Sequence, residues 1–178
     1  MSGRRLNVRE KNGTDVWLTP PQILADLGPF DLDPCAPKIR PWEMATRHYT
    51  TEDNGLLRKW EGRVWLNPPY GEQLGRWLGR MAEHGNGIAL MFARTETEAF
   101  VKHVWPHASV LLFVESRLRF RLVNGALPSG NTNSGAPSIL VAYDFKSDGT
   151  NAHRLTRCGI GGALVRVEGM KEWRIDRR

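Results

Sequence analysis

The sequence predicts an α/β fold whose sheet is mainly parallel and covered by helices on both sides. Three observations lead there. GIALMFA (87–93), SVLLFVE (109–115) and SILVAYDF (138–145) are nearly continuous apolar runs, the mark of strands buried on both faces. Segments with apolar residues at helical spacing alternate with the earlier strands, as the crossovers of a parallel sheet require. Two shorter runs, FDLDP and RVWLNPPY, run into proline, which cannot donate to a sheet and halts the strand.

Taken in order, TPPQILADL sets Thr19 at a helix cap, with prolines where a helix start accepts them and Ile23, Leu24 and Leu27 at helical spacing. Phe30 to Asp33 reads as a brief strand stopped by Pro34, followed by a loop-rich stretch with a turn at Glu52-Asp53-Asn54-Gly55. GLLRKW is expected to form a short helix. After the strand RVWLN, EQLGRWLGRMAEH aligns Leu74, Trp77, Leu78 and Met81 on one helical stripe despite two glycines. TETEAFVKHVW opens with the Thr-x-x-Glu pattern of a capping box and is expected to be helical.

SVLLFVE and SILVAYDF have no clear helix between them and are expected to pair antiparallel, giving the sheet a reversed C-terminal strand. In RLRFR, Arg117, Arg119 and Arg121 alternate, which on a strand places all three on one face. That face could track phosphates or could be a charged, protected sheet edge. The segment FRLVNGALPSGNTNSGAPS is dense in Gly, Ser, Asn and Pro, and loops of this length are usually functional or disordered. Beyond residue 150 the one strand signal is ALVRVEG.

The 178 residues suit a single domain, residues 1–178, with a basic N-terminal arm and a basic C-terminal tail. No apolar run approaches the roughly 18 to 20 residues of a membrane span. MSGRRLNVREKNG carries charge with no apolar segment behind it, so a cytosolic protein is expected. Cys35 and Cys158 are far apart, and Pro106 breaks the helix that would align His103 with His107; no metal site and no disulfide are expected. The net charge of +6 points toward a polyanionic partner.

Asn67-Pro68-Pro69-Tyr70 is the stretch richest in chemistry. In open α/β sheets ligands bind beyond the carboxyl ends of the strands, where both FDLDP and RVWLNPPY stop. An exocyclic amine on an aromatic base is a poor nucleophile, because its lone pair is delocalised into the ring. The Asn67 side-chain oxygen and the Pro68 carbonyl could accept its two hydrogens and localise that pair. Tyr70 offers a stacking face, and two prolines make the arrangement rigid. The plain alternative for the four residues is a strand-ending turn with Tyr70 on the rim.

Together, TPP, FDLDPCA, DNGL with a following Trp, VWLNPPYG and RLRF resemble the phage-type adenine-specific DNA methyltransferases of the Dam family, over roughly residues 15 to 145. The resemblance implies a Rossmann-like class I methyltransferase fold and S-adenosylmethionine as cofactor. It implies that Thr19 and Pro20 meet the methionine end of that cofactor, that Asp33, Pro34 and Cys35 form the first cofactor motif, and that Asp53, or the adjacent Glu52, contacts its adenosine. Asn67, Pro68, Pro69 and Tyr70 would be catalytic. The implied substrate is adenine flipped out of double-stranded DNA, with Arg117, Arg119 and Arg121 on phosphates and the loop from Val123 to Ser138 on base edges. The implied location is the cytoplasm, that of the host cell for a phage-encoded member.

Two features depart from the usual pattern. PCAP follows Asp33 where such enzymes commonly carry a glycine-rich loop, which implies a modified cofactor loop. The 34 positions from Asp33 to Asn67 are too few for two strand–helix units, so the sheet is expected to be abbreviated on that side. Enzymes acting on RNA adenine or protein glutamine share the tetrapeptide, and a catalytically silent nucleic-acid-binding module would keep the same charge.

Overall fold

A computed structural model describes residues 17–128 and 134–167. The chain runs α1 (Pro21–Leu27), β1 (Leu32–Asp33), β2 (Arg47–His48), β3 (Val64–Leu66), α2 (Leu74–His84), β4 (Gly87–Phe92), α3 (Glu98–His103), β5 (Val110–Val114), β6 (Ser138–Tyr143), α4 (Thr150–Arg157) and β7 (Gly162–Arg166). The basic arm, the C-terminal tail, the end of ALVRVEG and residues 129–133 of the polar loop lie outside the described residues.

The seven strands form one mixed sheet in the order β2-β1-β3-β4-β6-β5-β7. β1 pairs in parallel with β2 and β3, and β3 in parallel with β4. β6 lies antiparallel between β4 and β5, as expected for two strands without a helical crossover, and β7 adds antiparallel to β5. Two strands are therefore reversed where the sequence predicted one, and half of the pairings are antiparallel. The positions between β1 and β3 hold only β2 and turns, so the sheet is short on that side.

Alternation along each strand builds two cores. Trp65, Ile88, Leu90 and Leu140 face α1 and α4. Val64, Leu66, Ala89 and Met91 face α2 and α3. Burial on both faces explains the unbroken apolar runs. Helix α2 buries Trp77, Leu78, Met81 and Ala82, and ends at Gly85, whose φ of 67° is the left-handed conformation that glycine adopts without strain.

Several local expectations are corrected. Thr19 does not cap α1; Pro20 holds that position with no side-chain hydrogen bond, and Pro21 begins the helix. GLLRKW forms turns, held by Leu57 N–H to the Asn54 carbonyl at 2.8 Å, because Trp60 reaches back to donate to the Gly55 carbonyl at 2.8 Å. Helix α3 starts later than the Thr95-x-x-Glu98 pattern predicts: it begins at Glu98 with Thr97 at the cap, and the Thr97 hydroxyl donates to the Arg94 carbonyl. RLRFR is not a strand but an extended segment with one antiparallel bridge, Arg121 to Leu18. Alternation survives in part: Arg117 and Arg119 are exposed, Phe120 is buried, and Arg121 is half-buried.

Candidate active site

β1 and β3 are parallel neighbours, so the residues that follow them emerge side by side. A single thiol joins the two motifs. The Cys35 N–H donates to Asp33 Oδ1 at 3.0 Å, and Cys35 Sγ donates to the Asn67 carbonyl at 3.3 Å. Burial and the neighbouring Asp33 raise the Cys35 thiol well above its ordinary range, so it stays protonated as that donor. Burial also pushes the Asp33 carboxyl up to about 7, against the pull of the Cys35 hydrogen bond.

Beyond the strand, Pro68 and Pro69 have no N–H and end the ladder. The Asn67 side chain turns to the N-terminal segment, where Nδ2 donates to the Trp17 carbonyl at 3.2 Å. Because that partner is an acceptor, the amide nitrogen must face it. Neither Asn67 Oδ1 nor the Pro68 carbonyl receives a hydrogen bond among the described residues. Trp17 is held in turn by its neighbour Leu18, which exchanges backbone hydrogen bonds of 2.8 and 2.9 Å with Arg121. The Tyr70 ring stacks on Phe92, with centroids 4.1 Å apart and planes 7° from parallel, and keeps 37 % of its surface exposed.

Two clefts meet along this tetrapeptide. The smaller, about 770 Å³, is walled by Asp33, Pro34 and Cys35, by Thr50 and Asn54 from the turn, and by Asn67 to Tyr70. The larger, about 1300 Å³, runs from Tyr70 and Phe92 past α2 and α3 to Phe120 and Ser134. Trp17, Pro69, Tyr70, Glu72 and Arg76 belong to both walls.

The structure thus brings Asp33, Pro34, Cys35, Asn67, Pro68, Pro69 and Tyr70 together. It does not bring Thr19, Pro20 or Asp53 to either wall. Thr19 is fully buried, and its hydroxyl has no partner among the described residues. Asp53 closes its own turn, with Oδ2 accepting from the Thr50 N–H at 2.8 Å and hydroxyl at 3.1 Å, while the alternative Glu52 pairs with Lys38 at 2.6 Å. Its neighbours Thr50, Thr51 and Asn54 face the smaller cleft instead. Arg117 donates to the Ser134 carbonyl at 3.3 Å, and the wall contributed by this segment is Phe120.

Sequence reasoning missed Trp17, Phe92 and Arg76. Trp17 precedes TPP and carries no periodic signal, while Phe92 and Arg76 read as ordinary strand and helix positions.

The family model for DNA N-6-adenine-methyltransferase (Dam) matches residues 7–157. The chain belongs to the Dam family. That membership carries, at the level of the family, methylation of adenine in DNA at N6. Comparison with curated proteins and with solved structures gave no match. The residues matched to Dam include both motifs joined by Cys35, the turn at Gly55 and the Phe120 segment. Among the described residues no helix is long and apolar enough to cross a membrane.

Proposed function

We propose that this chain transfers a methyl group from S-adenosylmethionine to the exocyclic amine of an adenine flipped out of double-stranded DNA. The observation that carries the reading is the pinned amide of Asn67. With Nδ2 committed to the Trp17 carbonyl, Oδ1 is left as an acceptor beside the unused carbonyl of Pro68. Two acceptors on a rigid proline turn suit an amine with two hydrogens, and drawing on both frees its lone pair from the ring. Tyr70, on both cleft walls, gives the base a surface to stack on.

The smaller cleft suits the cofactor. Asp33 supplies a carboxylate for a cationic ligand, Thr50 and Asn54 supply polar groups for a ribose, and Met44, Leu56 and Trp77 supply apolar surface for a purine. When bound, S-adenosylmethionine supplies an electrophilic methyl group on a sulfonium that leaves without a metal or a covalent enzyme intermediate. Cys35 keeps the cofactor motif and the Asn67 backbone in register, the preorganisation a transfer reaction requires. A sheet with five strands in one direction and β6 reversed between β4 and β5 suits a Rossmann-like class I methyltransferase arrangement.

Adenine must leave the duplex to reach Asn67, which costs a few kcal/mol. Arg117, Arg119 and Arg121 hold phosphates in this reading, and the loop from Val123 to Ser138 reads base edges. Such an enzyme works in the cytoplasm of the cell that holds its DNA, the host cell for a phage-encoded member. Parallel incubations of the chain and labelled S-adenosylmethionine with duplex DNA, with RNA and with protein test the substrate class. Label entering DNA supports the reading; label entering only RNA or protein, or none of the three, overturns it.

A further inference from the structure

The geometry points to Arg76 and Arg94 as the residues that hold the phosphates flanking the extruded adenine, across the mouth of the larger cleft. This rests on the proposed methylation of DNA and adds to it a strand-binding surface separate from the 117–121 segment.

The aromatic stack of Tyr70 and Phe92 lies on the wall of the larger cleft, and Arg76 and Arg94 lie on the same wall. Arg94 follows Phe92 by two residues at the end of β4, and Arg76 stands in the first turn of α2 after the Tyr70 turn. Helix α2 packs on α3, the helix that follows Arg94: a Cβ on Gly75 would lie 3.7 Å from the Ala99 Cβ. Both arginines are exposed, and neither guanidinium has a hydrogen bond or an ion pair among the described residues. The other cation on this wall, Lys102, is already paired with Glu98 at 2.6 Å. Glu72 is the remaining acid, so two unpaired guanidiniums stand against one carboxylate.

An extruded nucleotide presents a flat base and, on either side of it, a phosphate. The cleft offers the matching pair of features, an aromatic floor and unpaired guanidiniums whose planar forks suit phosphate oxygens. Arginines on the two elements bordering the Tyr70–Phe92 stack would grip the strand as the base turns in.

The test compares Arg94→Gln and the double variant Arg76→Gln, Arg94→Gln with the unaltered protein. Three quantities are read: the salt dependence of duplex DNA binding, kcat/KM for DNA, and calorimetric affinity for S-adenosylhomocysteine. Each lost phosphate contact should reduce the slope of log K against log salt by roughly 0.7 to 0.9. The proposal expects that reduction once in the single variant and twice in the double one, with kcat/KM lowered at least tenfold and S-adenosylhomocysteine affinity unchanged. An unchanged slope in variants of a protein that itself binds and methylates DNA would overturn this inference alone. So would a loss confined to S-adenosylhomocysteine affinity, which would make Arg76 a cofactor ligand. If the unaltered protein neither binds nor methylates DNA, the functional reading falls and this inference with it.

Discussion

The side-chain amide of Asn67 donates to the backbone carbonyl of Trp17 at 3.2 Å, across 50 residues of sequence. The N-terminal segment thereby sets the direction in which the Asn67 oxygen points. Two substitutions separate the acceptor from its aim. Asn67→Ala removes both and is expected to lower kcat by about 10²- to 10³-fold, the loss usual for one preorganised polar group. Asn67→Asp keeps an acceptor but sets a carboxylate against the Trp17 carbonyl, and an intermediate loss is expected. Single-turnover kinetics at saturating cofactor measures both; an undiminished kcat in Asn67→Asp would show that the link to Trp17 has no role.

Gly55 is the point where the turn closes on the cofactor motif. A Cβ there would lie 1.9 Å from the Pro34 carbonyl oxygen and 3.3 Å from Tyr49. Backbone cannot step aside as a flexible side chain can. Gly55→Ala should therefore cost about 1 to 3 kcal/mol or more in stability through overpacking and should weaken S-adenosylhomocysteine binding by displacing Pro34. Thermal unfolding and calorimetry check the two effects; an unperturbed melt would mean that the turn moves freely.

Cofactor affinity should depend on pH through Asp33. Its folded pKa of about 7 lies above the unfolded value, so the stabilisation is complete below an unfolded pKa of about 3.9 and is lost as pH rises through 7. A cationic ligand reverses the preference by favouring the carboxylate. Affinity for S-adenosylmethionine should accordingly rise between pH 6 and 8 by up to about tenfold, with proton release on binding near pH 6. Asp33→Asn should flatten that profile. Calorimetry in buffers of different ionisation heat counts the protons, and a profile equally steep in Asp33→Asn would assign the titration elsewhere.

Arg63 is a buried clamp on the side of the sheet away from α2. Its Nε donates to Asn151 Oδ1 at 2.6 Å, and NH1 donates to the Leu27 and Pro29 carbonyls at 2.6 and 2.8 Å. The guanidinium carbon lies 4.3 Å from the centroid of the Phe30 ring. Burial lowers the pKa to about 10, which leaves the group charged at neutral pH. Arg63→Met would strip these partners at once, and a loss of roughly 3 to 5 kcal/mol in chemical denaturation is expected. A loss below about 1 kcal/mol would show that α1 and α4 are held by their apolar contacts alone.

The long apolar strands were legible because burial on both faces leaves one unbroken signal, as in 87–92 and 138–143. The end of β3 before Asn67 was legible because the two prolines that follow cannot donate to a sheet. β2 was not, since Arg47 and His48 carry no apolar pattern, and the strand is defined by its parallel backbone pairing with β1. α4 escaped for a tertiary reason. Its cap, Gly149, supplies no side chain, and the N–H groups of Asn151 and Ala152 are taken at 2.9 Å by Asp144, from the end of the preceding strand. The role of Asp53 was not legible, because an acid in a turn satisfies the local backbone as readily as it meets a ligand; here its Oδ2 accepts from the Thr50 N–H and hydroxyl.

The most direct test of the account follows a labelled methyl group to its atom. The protein and its Asn67→Ala variant are incubated with duplex DNA and labelled S-adenosylmethionine, and the DNA is digested to nucleosides. The account expects label on the N6 amine of adenine with the unaltered chain and at least about a hundredfold less with the variant. Label on another atom, or equal labelling by Asn67→Ala, would contradict it.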